Sequence, residues 1–236
     1  MTSTPEPAPG AGPVRVVEPQ ACCGDPWEDA YLRFETPEQE VAKFSRRLAR
    51  LGADRWPRDA SVVELFCGRG NGLHALARLG FTNLEGVDLS DRLLAQYEGP
   101  ARLFVGDCRS LPFDDDSKDV LIVQGGLHHL PSLPEDLDRT LAEAARVLRP
   151  GGRFVAVEPW RTPFLRLVHA VCRVPAARRL SAKVDALATM IEHERATYEA
   201  WLSRPKLILD LLASRFEVER RATALGKLSF VGRKRG

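Results

Sequence analysis

From residue 61 onward, short apolar runs alternate with stretches whose apolar residues recur every three or four positions. Val62-Val63-Glu64-Leu65-Phe66, Asn83 to Asp88, Arg102 to Val105, Val120 to Val123 and Phe154 to Val157 predict five strands. Between them, Asn71 to Leu79 fits a helix ended by Gly80, and Ser90 is placed to cap a helix carrying Leu93, Leu94 and Tyr97. Ser132-Leu133-Pro134-Glu135 has the pattern of a capping box. It opens a helix with Leu137, Leu141, Ala145 and Leu148 on one face, ended by Pro150-Gly151-Gly152. Near-continuous apolar strands that alternate with helices predict a parallel sheet covered on both faces. The expected class is therefore α/β, a doubly wound and mainly parallel sheet.

The flanks follow other rules. Residues 1–20 are rich in Pro, Ala and Gly and are expected to form a disordered tail. In the N-terminal segment, 21–56, Thr36-Pro37-Glu38-Gln39 reads as a capping box with proline at N1. Val41, Phe44, Leu48 and Leu51 mark one face of that helix, and Gly52 stops it. After the core at 57–160, residues 161–214 read as a helical insert. Its longest helix spans about 182–202, with Val184, Leu187, Ile191, Tyr198 and Leu202 on one face. Residues 215–236 close the chain with an antiparallel hairpin, Phe216/Val218 against Leu228/Phe230 through Gly226.

Composition narrows the partners. A net charge of +2 over 236 residues does not call for nucleic acid or an anionic membrane, so neither is expected. Five cysteines without regular spacing (Cys22, Cys23, Cys67, Cys108, Cys172) give no disulfide framework. No pairing of Cys or His predicts a metal site. No apolar run reaches ~18 residues, and the N-terminus lacks the features of a secretory signal. A reducing cytoplasm is the expected location.

The candidate chemistry gathers at strand ends. Cys67-Gly68-Arg69-Gly70-Asn71-Gly72 is a glycine-rich turn between the first strand and the next helix, a place where backbone can approach a ligand closely. Asp88, followed by Leu89, ends the second strand, where a carboxylate can accept both ribose hydroxyls of a nucleoside. Such charge-assisted bonds contribute about 1.5–3 kcal/mol each. Asp107 and Cys108 follow the third strand, where the Asp could take an adenine amino group and the Cys108 N–H a ring nitrogen. Three carboxylates, Glu64, Asp88 and Asp107, would then share one crevice. Acids there repel a pyrophosphate and attract a cofactor carrying sulfonium and ammonium groups; Arg69 pulls the other way. Gly68-x-Gly70-x-Gly72 also departs from the dinucleotide fingerprint.

Together these residues resemble the class I S-adenosylmethionine-dependent methyltransferases over roughly residues 57–160 and the final hairpin. The resemblance implies S-adenosyl-L-methionine as cofactor. Glu64 to Gly70 match the family's first motif, with Glu64 near the methionine end. Asp88 matches its ribose acid and Asp107-Cys108 its adenine pair. Leu111-Pro112-Phe113 and Leu148-Arg149-Pro150-Gly151-Gly152 fit its small-molecule branch. Phe66 stands where the family usually has glycine and is read as a wall of the crevice.

Gln124-Gly125-Gly126-Leu127-His128-His129 occupies the segment that lies beside the transferred methyl group in that family. It lacks the [DN]PP[YF] pattern associated with methylation of amide or nucleobase nitrogens. His128 or His129 could deprotonate an acceptor hydroxyl, with His129 favoured. Packing or capping is the alternative role. The implied reaction is in-line methyl transfer to a small or medium-sized acceptor. Acceptor contacts are expected from Trp27, Tyr31 and Phe34, and from Trp160, Phe164, His169, His193, Tyr198 and Trp201 in the insert. Two other readings stay open. A nicotinamide-dependent oxidoreductase would need a hydride-transfer site, and no Tyr-x-x-x-Lys is present. A non-catalytic ligand-binding module would share the fold.

Overall fold

The computed structural model describes residues 12–18 and 24–236. Its strands are β1 (Val14–Arg15), β2 (Ser61–Leu65), β3 (Asn83–Asp88), β4 (Arg102–Val105), β5 (Lys118–Gln124), β6 (Leu148–Pro159), β7 (Phe216–Ala224) and β8 (Lys227–Lys234). The first five helices are α1 (Asp25–Phe34), α2 (Pro37–Arg50), α3 (Asn71–Arg78), α4 (Asp91–Leu94) and α5 (Glu135–Val147). The rest are α6 (Pro163–Cys172), α7 (Pro175–Leu180), α8 (Ala182–His193), α9 (Arg195–Ser203) and α10 (Pro205–Arg215).

The strands form a sheet in the order β1-β4-β3-β2-β5-β6-β8-β7. All neighbours are parallel except β8, which runs antiparallel to both β6 and β7. Alternate residues of each central strand supply opposite faces. Val63, Leu65, Leu121, Val123, Phe154 and Ala156 join one buried cluster with α5, α9 and α10. Val62, Val120, Ile122, Val155 and Val157 join the other with α2 and α3. That division explains why the strands read as unbroken apolar runs: neither face meets water. The chain direction across the sheet reverses at β2, which pairs with β3 on one side and β5 on the other. Such a switch point leaves a crevice beyond the strand ends.

The α2 capping box is present: Thr36 accepts from the Gln39 N–H and Gln39 accepts from the Thr36 N–H. Four expectations are corrected. Val14–Arg15, placed in the disordered tail, pair with β4; Val16 and Val17 also donate to the Val105 carbonyl, so a sheet edge satisfies this backbone. Residues 1–11 and 19–20 of that tail, and Cys22 and Cys23, lie outside the described residues. Ser132 does not cap α5. Its hydroxyl donates to the Glu135 carboxylate and its N–H to Asp136, while Pro134 holds the N-cap position without a side-chain bond. On α5, Ala144 is fully buried and Ala145 only partly so at the edge of the same core, and Leu148 already begins β6. The helix expected over 182–202 is two, α8 and α9, broken at Glu194, whose carboxylate is drawn inward to the Trp27 indole N–H at 2.9 Å. No helix of the described residues is long and apolar enough to cross a membrane.

Candidate active site

The register aligns Leu65 of β2 with Val87 of β3 and Val123 of β5. The residues that follow, Phe66, Asp88 and Gln124, therefore reach the same level at the switch point. A cavity of about 640 Å³ opens there. Its floor includes Glu64, Phe66, Gly68, Asp88, Leu89, Cys108 and Gln124. Trp27, Tyr31 and Phe34 of α1, with Phe164 of α6, Leu187 of α8 and Tyr198 of α9, also line it.

The glycine-rich turn is bent by left-handed backbone at Phe66 (φ 54°), Gly68 (φ 53°) and Gly70 (φ 76°). Glycine adopts such angles freely, whereas Phe66 carries strain of about 1–3 kcal/mol. Its ring packs on Gly126, where any Cβ would overlap it. Asp88 holds the turn in place. One carboxylate oxygen accepts the Gly68 N–H and the other the Ser90 N–H, both at 2.8 Å. Burial raises the Asp88 pKa, opposed by those backbone bonds.

Glu64 is buried on β2 with its carboxylate over the start of α3, and Gly72 leaves it room. Its Oε1 accepts from Gln124 Nε2 at 2.9 Å, and Gln124 in turn accepts from Arg47 at 3.1 Å. Glu64 Oε2 is the one buried side-chain polar atom among the described residues without a partner. Burial pushes the Glu64 carboxyl up to about 7, against the opposing Gln124 hydrogen bond.

Arg69 is committed elsewhere. Its guanidinium binds Glu40 Oε2 at 2.8 Å and the Glu35 carbonyl at 2.6 Å, and lies over the Tyr31 ring. The same Glu40 oxygen accepts from Asn71 and Tyr31. The cation that could have favoured a pyrophosphate is therefore a buried tie between the turn and α2. Asp107 departs from expectation. Both its oxygens are held by Arg109, which also reaches Asp136, and it does not line the cavity. Two of the three expected acids meet in the crevice. Lys43, Arg47, Lys183 and Lys227 line it as well, cations that strand-end reasoning missed because they come from α2, α8 and the hairpin. Cys108 bonds Thr140, and burial pushes its thiol up to about 12, so it is not a nucleophile at neutral pH.

The loop after β5 is held by Glu158 of β6, which the sequence did not single out. Glu158 Oε1 accepts the N–H groups of Gly126 and Leu127, each at 2.9 Å, and Oε2 lies 2.7 Å from His128 Nδ1. Burial alone would lower the His128 pKa, but the Glu158 hydrogen bond carries it upward. His129 lines the cavity with its Nδ1 3.3 Å from Glu194 Oε2 and its ring edge-on to Trp27. Burial and the neighbouring His128 hold its pKa well below the usual value. Ligand atoms of His128, His129 and Glu194 lie within 4.8 Å of one another, a grouping invisible in the sequence because Glu194 is remote.

Of the expected acceptor contacts, Trp27, Tyr31, Phe34, Phe164 and Tyr198 line the cavity, whereas Trp160 and Trp201 belong to the core and His193 is exposed. Trp201 donates to the Pro159 carbonyl. His169 bonds the Tyr198 hydroxyl from a separate groove between α6 and α9.

Comparison with known proteins agrees with this geometry. The family described as "Methyltransferase domain" matches residues 63–156. The demethylmenaquinone methyltransferase of Clavibacter sepedonicus is 32% identical over 175 residues, 70% of this chain and 69% of that protein. The chain belongs to the class I S-adenosylmethionine-dependent methyltransferases. That of Streptomyces avermitilis is 35% identical over 44% of the chain, a match that spans less than half of that relative (45%). The fold is shared with the PH0226 protein of Pyrococcus horikoshii OT3 at a TM-score of 0.66, with 19% identity over 90% of this chain and all (100%) of that one. S-adenosylmethionine is the family's cofactor, and the crevice suits it: an orphaned buried carboxylate oxygen answers an ammonium group, and no free arginine waits for a diphosphate at the first turn.

Proposed function

We propose that the chain transfers a methyl group from S-adenosyl-L-methionine to an acceptor enclosed beneath α1, α6, α8 and α9. The observation that carries this reading is Glu64 Oε2, buried without a partner at the strand ends. A carboxylate kept in that state costs stability, and a cationic ligand is what repays it. Asp88 and Leu89 would hold the ribose end, the Cys108 N–H the base, and Glu64 with Gln124 the amino-acid end. Phe66 and Gly68 would shape the floor, while Gly70, expected there, bends the turn from outside the cavity against Tyr97. Bound there, the cofactor supplies a methyl group already activated by its sulfonium.

The chain's own residues mainly align and enclose. Positioning of this kind can contribute ~7–11 kcal/mol toward an in-line displacement. Trp27, tied to Glu194, closes the cavity from α1, and the Glu158 clamp fixes the loop bearing His129. His129, kept neutral by burial, would accept the acceptor's proton. Methyl-labelled cofactor with demethylmenaquinone, the substrate named for the Clavibacter relative, is the first assay. Label should move to the organic phase, and His129→Gln should slow turnover by about 10²-fold or more while leaving cofactor affinity unchanged. A variant as fast as the parent would remove His129 from the chemistry.

Glu64 also sets a pH dependence. Its folded pKa lies above the unfolded value of 4.5, so the native state binds more protons, and its contribution to stability falls as pH rises from about 4.5 to about 7. Glu64→Gln lacks this slope and should gain on the parent across that window, by up to about 3 kcal/mol, in denaturant melts. The same variant should bind S-adenosylmethionine more weakly at pH 8. A variant that is less stable and binds equally well would contradict the role.

A further inference from the structure

We infer that the outer face of α6 and α7 is a docking surface for an anionic lipid bilayer, and that the acceptor cavity opens onto it. Between Pro159 and Val184 the chain carries five Arg and one Lys but no Asp or Glu, a local excess hidden in the whole-chain net of +2. Arg178 is used internally, paired with Asp185 and Glu192. Arg161, Arg166, Arg173 and Arg179 are exposed, make no ion pair among the described residues, and stand along the rim of the groove between α6 and α9, which Asp185, Glu192 and Glu199 also line.

The same segment holds five of the eight large apolar side chains exposed among the described residues: Phe164, Leu167, Val171, Val174 and Leu180, the last 88% exposed. Phe164, Leu167, Val171 and Val174 stand at intervals of three, four and three, so they form one stripe on and just beyond α6. A second stripe, Leu165, Val168 and Cys172, faces inward. α6 is therefore apolar on two sides with arginines between them, the pattern of a helix lying in a lipid interface rather than in water. The charge selects the occupant. Each Arg near an anionic leaflet contributes about 1 kcal/mol, while the apolar stripe needs a partner without competing polarity.

Continuity with the cavity gives the surface a purpose. Phe164 of α6 and Leu225 of the hairpin turn are both exposed and also line the cavity, next to the inward-facing Leu165 and Val168. An acceptor dissolved in the membrane could enter beside α6 without crossing water. This direction of entry rests on the proposed transfer reaction; the docking itself does not.

Sedimentation of the purified chain with vesicles tests it. One set contains equal parts phosphatidylglycerol and phosphatidylcholine, the other phosphatidylcholine alone. The chain should sediment with the anionic vesicles, release as salt rises, and stay in solution with the neutral ones. Arg166→Ser/Arg173→Ser/Arg179→Ser should weaken binding roughly a hundredfold, and Leu167→Ser/Leu180→Ser should weaken it without changing the salt slope. All five positions are exposed, and unchanged S-adenosylhomocysteine binding would report intact folding. A parent chain that ignores both vesicle types, a triple variant that binds like the parent, or retention on duplex DNA in preference to vesicles would overturn the inference. Vesicle binding by a chain that ignores S-adenosylhomocysteine would sink the transfer reading and leave the surface standing.

Discussion

Glu158→Ala is expected to destabilise the protein by about 4–5 kcal/mol, because three buried donors converge on one carboxylate and each orphaned donor costs about 1–3 kcal/mol. The N–H groups of Gly126 and Leu127 and the His128 imidazole lose their acceptor together. Glu158 and His128 are both buried, so bulk water does not reach the gap. Glu158→Gln separates charge from geometry. It keeps a carbonyl for the two backbone groups and obliges His128 to present its other tautomer, so the loss should be about 1–2 kcal/mol. Urea melts of the two variants would check the ordering. An alanine variant within about 1 kcal/mol of the parent would mean that the loop is held by packing alone.

Asp88→Ala should show the second large effect, in two readouts at once. Its carboxylate clamps the glycine-rich turn through Gly68 and the start of α4 through Ser90. Stranding both N–H groups should cost about 2–5 kcal/mol of stability. In protein that remains folded, S-adenosylhomocysteine should bind at least tenfold more weakly, about 1.4 kcal/mol, from loss of the ribose contact. A variant that is destabilised but binds normally would make Asp88 a purely structural clamp.

The strands were legible because burial on both faces writes an apolar run that polar interruptions do not blur; β2 to β5 lie where the pattern placed them. The glycine-rich turn and Asp88 were legible because they sit at strand ends fixed by that rhythm. α1 carried a usable signal, since Trp27, Ala30, Tyr31 and Phe34 stand at helical spacing, and its three aromatics line the cavity. Asp107 failed for a local reason: Arg109, two residues on, captures its carboxylate. Glu158 and Glu194 were out of reach, because their partners are set by how β6 and the insert return to the crevice. Helix periodicity likewise could not show that α8 and α9 are separated at Glu194, whose carboxylate accepts from Trp27.

The purified chain titrated with S-adenosylhomocysteine, and separately with NAD, in a calorimeter most directly tests whether the crevice beside Glu64 and Asp88 serves a sulfur-linked adenosine. Saturable one-site binding of the first with no heat from the second is the expected result. Silence with S-adenosylhomocysteine, or saturation by NAD, would contradict it.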